Sequence, residues 1–306
     1  MYYFLVNKSS ASGKSAYIWE GIEKYLKDND IAYEALYTEH ENHAMEIVKG
    51  LEDKRTEDKI KLVVIGGDGT FNEVINAIKD FSVFSFGLIP AGSGNDLARG
   101  LGISHDYMDN IKRILLGEVI KKCDLGKVTF PDGKSRYFGI SAGLGLDAEV
   151  CYFALKSKLK AFLNKIHLGE ATYMMLTILR LFSMRTCDIK LRVDDEAVSY
   201  EKMIFTAAMN HKCEGGGVPM APEALYDDGF LNIISAHNIS KIRALISLAI
   251  LSGGKAKWIK GISYHKIKKA ELILSKPMIF HTDGEYAGMY DRAIFTCYNN
   301  YMEFMN

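Results

Sequence analysis

The 306 residues balance 38 Lys+Arg against 38 Asp+Glu, with 48% hydrophobic residues and five prolines. That length exceeds one ordinary core and suits two domains, and the composition excludes an extensively disordered protein. The neutrality is uneven: residues 1–125 hold 15 basic against 20 acidic side chains and residues 126–306 hold 23 against 18, a basic excess compatible with a solvated surface or an anionic partner.

In chain order, residues 3–6 read as a strand, 15–27 as a helix, 31–37 as a strand, 41–51 as a helix and 61–65 as a strand. A helix opens at Phe71 and runs to Ile78, and residues 86–89 form another strand. Apolar strands alternating with helices imply a parallel sheet with crossover helices, whose ligands sit at the carboxyl ends of the strands. The Gly/Ser-rich turns after Val6, Ile65 and Ile89 all fall at such ends. They can converge on one site.

Beyond Asp124 the texture changes. Residues 128–130 and 136–138 flank the turn Pro131-Asp132-Gly133, a hairpin pattern. Further strands are expected at 189–193, 199–205, 230–234, 271–274, 278–281 and 293–298, with helices at about 151–166, 171–184 and 241–251. This half is mostly antiparallel β. The most apolar helix, 171–184, falls short of the ~20 residues that span a bilayer and contains Arg180. The start of the chain lacks the basic region and cleavage site of a signal peptide. Five scattered cysteines without a Cys-x-x-Cys indicate neither a disulfide framework nor a zinc site.

The chemistry-bearing run is Gly66-Gly67-Asp68-Gly69-Thr70, followed by Asn72 and Glu73. A strand ends, glycines let the backbone approach a ligand, and a helix begins whose free N–H groups favour an anion. It is not a Walker loop, because the Gly-Lys-Ser/Thr ending is missing. A second run, Gly92-Ser93-Gly94-Asn95-Asp96, repeats the strand, turn and helix start; its polar residues serve as helix caps or as a second wall of the same pocket. The third, from Asn7 to Ser15, contains Lys14 and by itself equals any solvated turn.

These loops, in this order, resemble the diacylglycerol kinase catalytic-domain family, which includes bacterial lipid kinases and sphingosine kinases and is more distantly similar to NAD kinases and phosphofructokinases. The likeness continues through the runs 139–147, 215–217, 221–230 and Asp283-Gly284-Glu285. It implies an α/β nucleotide-binding domain with a parallel sheet over 1–125 and a mostly antiparallel β-sandwich lipid-substrate domain over 126–298, with residues 299–306 packing back on the first. It implies ATP held by Thr38, Gly66, Gly67, Asp68, Gly69, Thr70, Asn72, Glu73, Ser93 and Asn95. It implies Glu285 as catalytic base, and Mg²⁺ in a structural role on Asp228 with the carbonyls of Leu225 and Phe230. At the matching positions of bacterial diacylglycerol kinases, Asp68, Asp124 and Lys14 form a charged network with metal and phosphate. Two departures stand out: Asn7-Lys8 replaces the usual Asn-Pro, and Ser93 replaces the usual Thr. Both keep polar character.

The resemblance implies γ-phosphoryl transfer from ATP to a lipid hydroxyl, most simply diacylglycerol to phosphatidic acid. Alternatives are an NAD kinase-like enzyme and a nucleotide-binding regulator without turnover. Lys156, Lys158, Lys160 and Lys165, and then Lys255, Lys257, Trp258, Lys260, Lys266, Lys268 and Lys269, place cations beside apolar residues. Such stretches suit transient docking of a cytoplasmic protein on the anionic inner face of a membrane, or are simply solvated. Met174, Met175, Leu176, Leu179 and Phe182 are expected in the core, with an acyl slot as the alternative. No nucleic-acid-binding module is recognisable, and the oligomeric state, a homodimer included, stays open.

Overall fold

The computed structural model describes residues 1–54, 59–117, 120–156, 169–194, 196–252 and 260–305. Strands β1 (Tyr2–Val6), β2 (Tyr33–Tyr37), β3 (Ile60–Gly66) and β4 (Phe84–Pro90) run parallel in the order β2–β1–β3–β4. Their side chains alternate between two apolar layers, as the period of a strand requires. Phe4, Val6, Val63 and Ile65 meet Ile18, Trp19 and Ile22 of α1 (Lys14–Asp28) and Ile111 and Ile114 of the helix Tyr107–Leu116. Leu5, Leu62 and Val64 meet Ala44 and Val48 of α2 (His43–Asp53) and Phe71 and Val74 of α3 (Asp68–Ile75). The carboxyl ends of β1, β3 and β4 are thereby left for the glycine loops. A short helix, α4 (Asp96–Leu101), follows the loop after β4, and Tyr107–Leu116 is α5.

The second half holds β5 (Ile120–Thr129), β6 (Ser135–Phe138), β7 (Ser141–Gly145), α6 (Leu146–Lys156), α7 (Gly169–Ser183), β8 (Cys187–Val193), β9 (Glu196–Met203), β10 (Phe205–Met209), β11 (Leu231–Ala236), α8 (Lys241–Ser252), β12 (Ile262–Ile267), β13 (Lys269–Thr282) and β14 (Glu285–Met305). Its strands pair antiparallel along β12–β11–β10–β7–β13–β14. The sandwich core is built from residues such as Phe138, Leu144, Met203, Phe205, Leu231, Phe280 and Phe295. The long β14 joins the halves: it leaves β13, pairs with β5, and at Phe304 pairs parallel with Phe86 of β4. Phe304 stacks on Phe71 at 5.6 Å, so the end of the chain is core of the first half.

Several expectations need correction. Helix α3 starts at Asp68, within the glycine run, and not at Phe71. The candidates 271–274 and 278–281 are one strand, β13, interrupted by a register shift between Ile273 and Met278. The candidate 199–205 divides into β9 and β10, with Lys202 at φ 52° just before the break. Met174, Met175, Leu179 and Phe182 are not core: they are 63%, 42%, 56% and 50% exposed, because Leu181 and Met184 supply the buried face and Leu176 packs at its edge. The basic positions beyond Lys156 in the first stretch, and Lys255, Lys257 and Trp258 in the second, lie outside the described residues.

Candidate active site

The loops after β1, β3 and β4 are tied to one another. Asn7 Nδ2 donates to Thr70 Oγ1 at 2.9 Å, Ser10 Oγ donates to the Ala91 carbonyl at 2.9 Å, and Ala91 N–H donates to the Gly66 carbonyl at 2.8 Å. Glycine is needed where the backbones cross: a Cβ on Gly92 would lie 2.5 Å from the Gly67 Cα. The first three N–H groups of α3 lack intrahelical acceptors, as at any helix start.

Asp68 sits where the loops meet. Its carboxylate accepts from the N–H groups of Asp96 at 3.0 Å and Leu97 at 3.2 Å, so it caps α4 from a distance of 28 residues in sequence. Burial, with a further push from Asp96, raises its carboxyl from 3.8 to about 6 despite those hydrogen bonds. Asp96 in turn holds Arg99 and accepts from Gly216 N–H at 2.7 Å, which draws the Gly215-Gly216-Gly217 turn onto the site.

The Asp-Gly-Glu run closes the opposite side. Asp283 and Gly284, at φ 49° and 84°, form the two-residue hairpin between β13 and β14, with Thr282 paired to Glu285. Asp283 is fastened by Asn72 Nδ2 at 2.8 Å and by the N–H groups of Gly139, Ile140 and Ser141 at 2.8–3.0 Å. This places Glu285 over α3: a Cβ on Gly69 would lie 2.9 Å from Glu285 Oε1. Behind the hairpin, the buried His281 pairs with Asp147 at 2.6 Å and lies 3.5 Å from Glu214. Burial opposes a charge on His281 and the two carboxylates favour one, while the Gly284 N–H, which donates to Nδ1 at 3.2 Å, opposes a second ring proton.

The remaining predicted residues divide. Thr38 lines a cleft of about 280 Å³ with Asn7, Ser9, Glu39, His40, Glu41 and Glu73. Glu73 reaches this cleft, yet both its oxygens accept α2 N–H groups, from Asn42 at 3.1 Å and Ala44 at 3.2 Å. Asn72 is engaged with Asp283 and Arg136, and Asn95 braces its own loop through Gly92. Ser93 is exposed at the loop tip, and Lys14 is exposed at the start of α1.

Asp124 is linked to the Asp283 side of the site, because Asn210 Nδ2 donates to the Asp124 carbonyl at 2.8 Å and to the Gly139 carbonyl at 2.9 Å. The Asp124 carboxylate accepts from Gly229 N–H and Asn300 N–H, each at 2.6 Å, beside Asp227 and Asp228. Among the described residues, no direct hydrogen bond or ion pair joins this carboxylate to Lys14 or Asp68; the network that the resemblance implies runs through metal and phosphate. Asp228 accepts from Phe230 N–H at 3.0 Å and pairs with Lys266 at 2.8 Å, while Leu225 is 46% exposed. A cation on Asp228 would compete with that ammonium.

Comparison with known proteins decides the family. The model of the diacylglycerol kinase catalytic domain matches residues 1–128, and that of the YegS C-terminal NAD kinase beta sandwich-like domain matches residues 141–298. A diacylglycerol kinase of Staphylococcus saprophyticus is 32% identical over 74% of this chain and 70% of its own. The chain belongs to the diacylglycerol kinase catalytic-domain family. "Putative lipid kinase YtlR" of Bacillus subtilis is 27% identical over 94% of both chains. Among solved structures, the fold is shared with one described as a putative diacylglycerol kinase from Bacillus anthracis, at TM-score 0.78 and 22% identity over 99% of this chain and 96% of that one. It is shared more distantly with an NAD kinase from Archaeoglobus fulgidus in complex with ATP, at TM-score 0.55 and 13% identity over 100% and 94%.

Within this family member, Asp96, offered by the sequence as a cap or part of a second pocket wall, and Asp283, offered as part of the Asp-Gly-Glu run, both hold the site together. Their acceptor roles depend on Gly216 and on Gly139 to Ser141, which are distant in sequence. His281 carried no local signal.

Proposed function

We propose that this chain is an ATP-dependent lipid kinase that transfers the γ-phosphoryl group to a lipid hydroxyl, with diacylglycerol the first acceptor to test. The observation that carries this reading is the Glu285 carboxylate held over Gly69, at the head of the helix whose free N–H groups would take phosphate. Glu285 would accept the hydroxyl proton as the acceptor oxygen bonds to the γ-phosphorus and ADP leaves with the bridging oxygen. Lys14 is positioned by sequence to neutralise phosphate charge at the first loop. The 280 Å³ cleft would take the nucleoside, its Thr38 hydroxyl and Glu39 and Glu41 carboxylates suiting ribose and base donors.

Mg²⁺ arriving with the nucleotide would offset developing negative charge. Asp68 fits as its protein ligand, since its carboxyl is raised by burial and no cationic side chain pairs with it among the described residues. A structural ion at Asp228 would share the carboxylate with Lys266, 2.8 Å away, and would satisfy Oδ2, which is buried without a hydrogen-bond partner.

No helix among the described residues is long and apolar enough to cross a membrane. The acceptor would be met at the surface. Met174, Leu179 and Phe182 on α7 and Ile242, Ile246 and Ile250 on α8 form exposed apolar faces of contacting helices, next in sequence to the two lysine-rich stretches. Apolar anchors beside cations favour transient binding to the anionic inner face of a membrane from the cytoplasm.

The test is incubation of the full chain with labelled ATP, Mg²⁺ and mixed micelles, each carrying one class of lipid hydroxyl. Labelled phospholipid is expected. Labelled NADP from NAD, or ATP binding without transfer to any lipid, would overturn the reading.

A further inference from the structure

The group formed by the buried His281 and the partly buried Asp147 and Glu214 is not used by the chemistry above, yet it touches the hairpin that carries Glu285. His281 is 1% exposed, and each ring nitrogen has a partner. Nδ1 accepts the Gly284 N–H at 3.2 Å, and Nε2 lies 2.6 Å from Asp147 Oδ2 in the first turn of α6. The space for this contact is made by Gly143 of β7, where a Cβ would lie 2.3 Å from Asp147 Oδ2 and 2.5 Å from His281 Nε2.

We propose that His281, held by Asp147 in its neutral Nε2–H form, is a positioning residue that fixes the Gly284 peptide and thereby the direction of Glu285. This inference rests on the reading of Glu285 as the base. The hydrogen-bond network assigns the tautomer: an Nδ1 that accepts an amide N–H has no proton of its own, so the ring proton lies on Nε2, facing Asp147. Asp147 and Glu214 favour a second ring proton, but that proton would need the lone pair engaged by Gly284. Burial, and then Asp147, push the Glu214 carboxyl up to about 8, which favours its neutral form beside the ring. The same tautomer makes Nε2 a donor rather than a metal ligand.

The hairpin is therefore gripped twice. Asp283 ties it to Asn72 and the start of β7, and His281 ties the next peptide to α6. The second grip acts on the N–H adjoining Glu285, so loosening it should misdirect the carboxylate while leaving the nucleotide loops intact.

The experiment combines kinetics with a spectroscopic readout on the full chain. His281→Phe keeps the ring and removes both nitrogens; His281→Asn restores an acceptor near Nδ1. For the Phe variant, kcat should fall about 10- to 100-fold with the KM for ATP within about twofold, as small misplacements of a reacting group do, and the Asn variant should recover most of the loss. ¹⁵N NMR of the unmodified protein near neutral pH should show His281 protonated on Nε2 alone. A ring protonated on Nδ1, or variants that lose stability equally while retaining kcat per folded molecule, would overturn the proposal. The NMR result does not depend on turnover, so a protein that phosphorylates no lipid contradicts the proposed function without deciding the tautomer.

Discussion

Glu285 Oε1 occupies the space that a side chain on Gly69 would need, 2.9 Å from the ideal Cβ position. A residue at the start of β14 and one in the first turn of α3, more than 200 positions apart, are thus in contact across the junction of the two halves. The contact makes glycine at 69 a requirement of the carboxylate's placement and not only of the loop.

Gly69→Ala should therefore displace a flexible carboxylate at little cost to the fold. The expected result is a kcat reduced by about 10- to 100-fold with unfolding free energy within about 0.5 kcal/mol of the parent. Gly92→Ala should behave oppositely, because its Cβ would meet backbone at 2.5 Å. Forcing the loops apart should cost about 1–3 kcal/mol in urea unfolding and weaken ATP binding. Equal stabilities for the two variants would contradict this distinction.

Glu73 lines the cleft beside Thr38, and its carboxylate also caps α2. Glu73→Ala should lower stability by about 0.5–2 kcal/mol, the usual cost of a lost N-terminal cap. Unchanged stability with a large rise in the KM for ATP would assign Glu73 to the nucleotide and not to the cap.

The first half was legible because its signals are local. Apolar runs of strand length alternate with helical periods, and glycine turns mark the strand ends. The second half hides more. The strand Ser141–Gly145 is made mostly of small residues and lacks a strand-like apolar pattern, and Pro277 and its neighbours make one long strand look like two. Asp124 shows why the site was only partly readable: its acceptor role depends on Asn300, 176 residues away, and no local pattern announces that pairing. The exposed face of α7 was misread because an apolar helix has the same composition whether the covering surface is protein or something else.

Glu214 predicts a pH dependence of stability. Burial first, and Asp147 next, raise its carboxyl from 4.5 in the unfolded chain to about 8. A carboxyl that binds its proton more tightly when folded favours the native state at low pH; this contribution is complete below about 4.5 and is lost as pH rises through about 8. Glu214→Gln remains neutral throughout, so it should be the more stable protein at about pH 9, with the curves converging in acid. Denaturant unfolding across this range provides the check, and a constant difference at all pH values would refute it.

The exposed helical faces predict a separable membrane step. Leu179→Glu combined with Ile246→Glu should abolish co-sedimentation with anionic vesicles, because charged residues replace apolar anchors. Phosphorylation of a short-chain acceptor dispersed in solution should persist. Retained vesicle binding would remove these faces from the account.

The central claim is that Glu285 takes the acceptor proton. It is tested most directly by single-turnover transfer from labelled ATP to a lipid acceptor, with Glu285→Gln measured beside the parent and ATP affinity determined on both. The account predicts loss of transfer by at least about 10²-fold, the contribution typical of a positioned general base, with ATP affinity unchanged. Transfer by Glu285→Gln at the parent rate would contradict it.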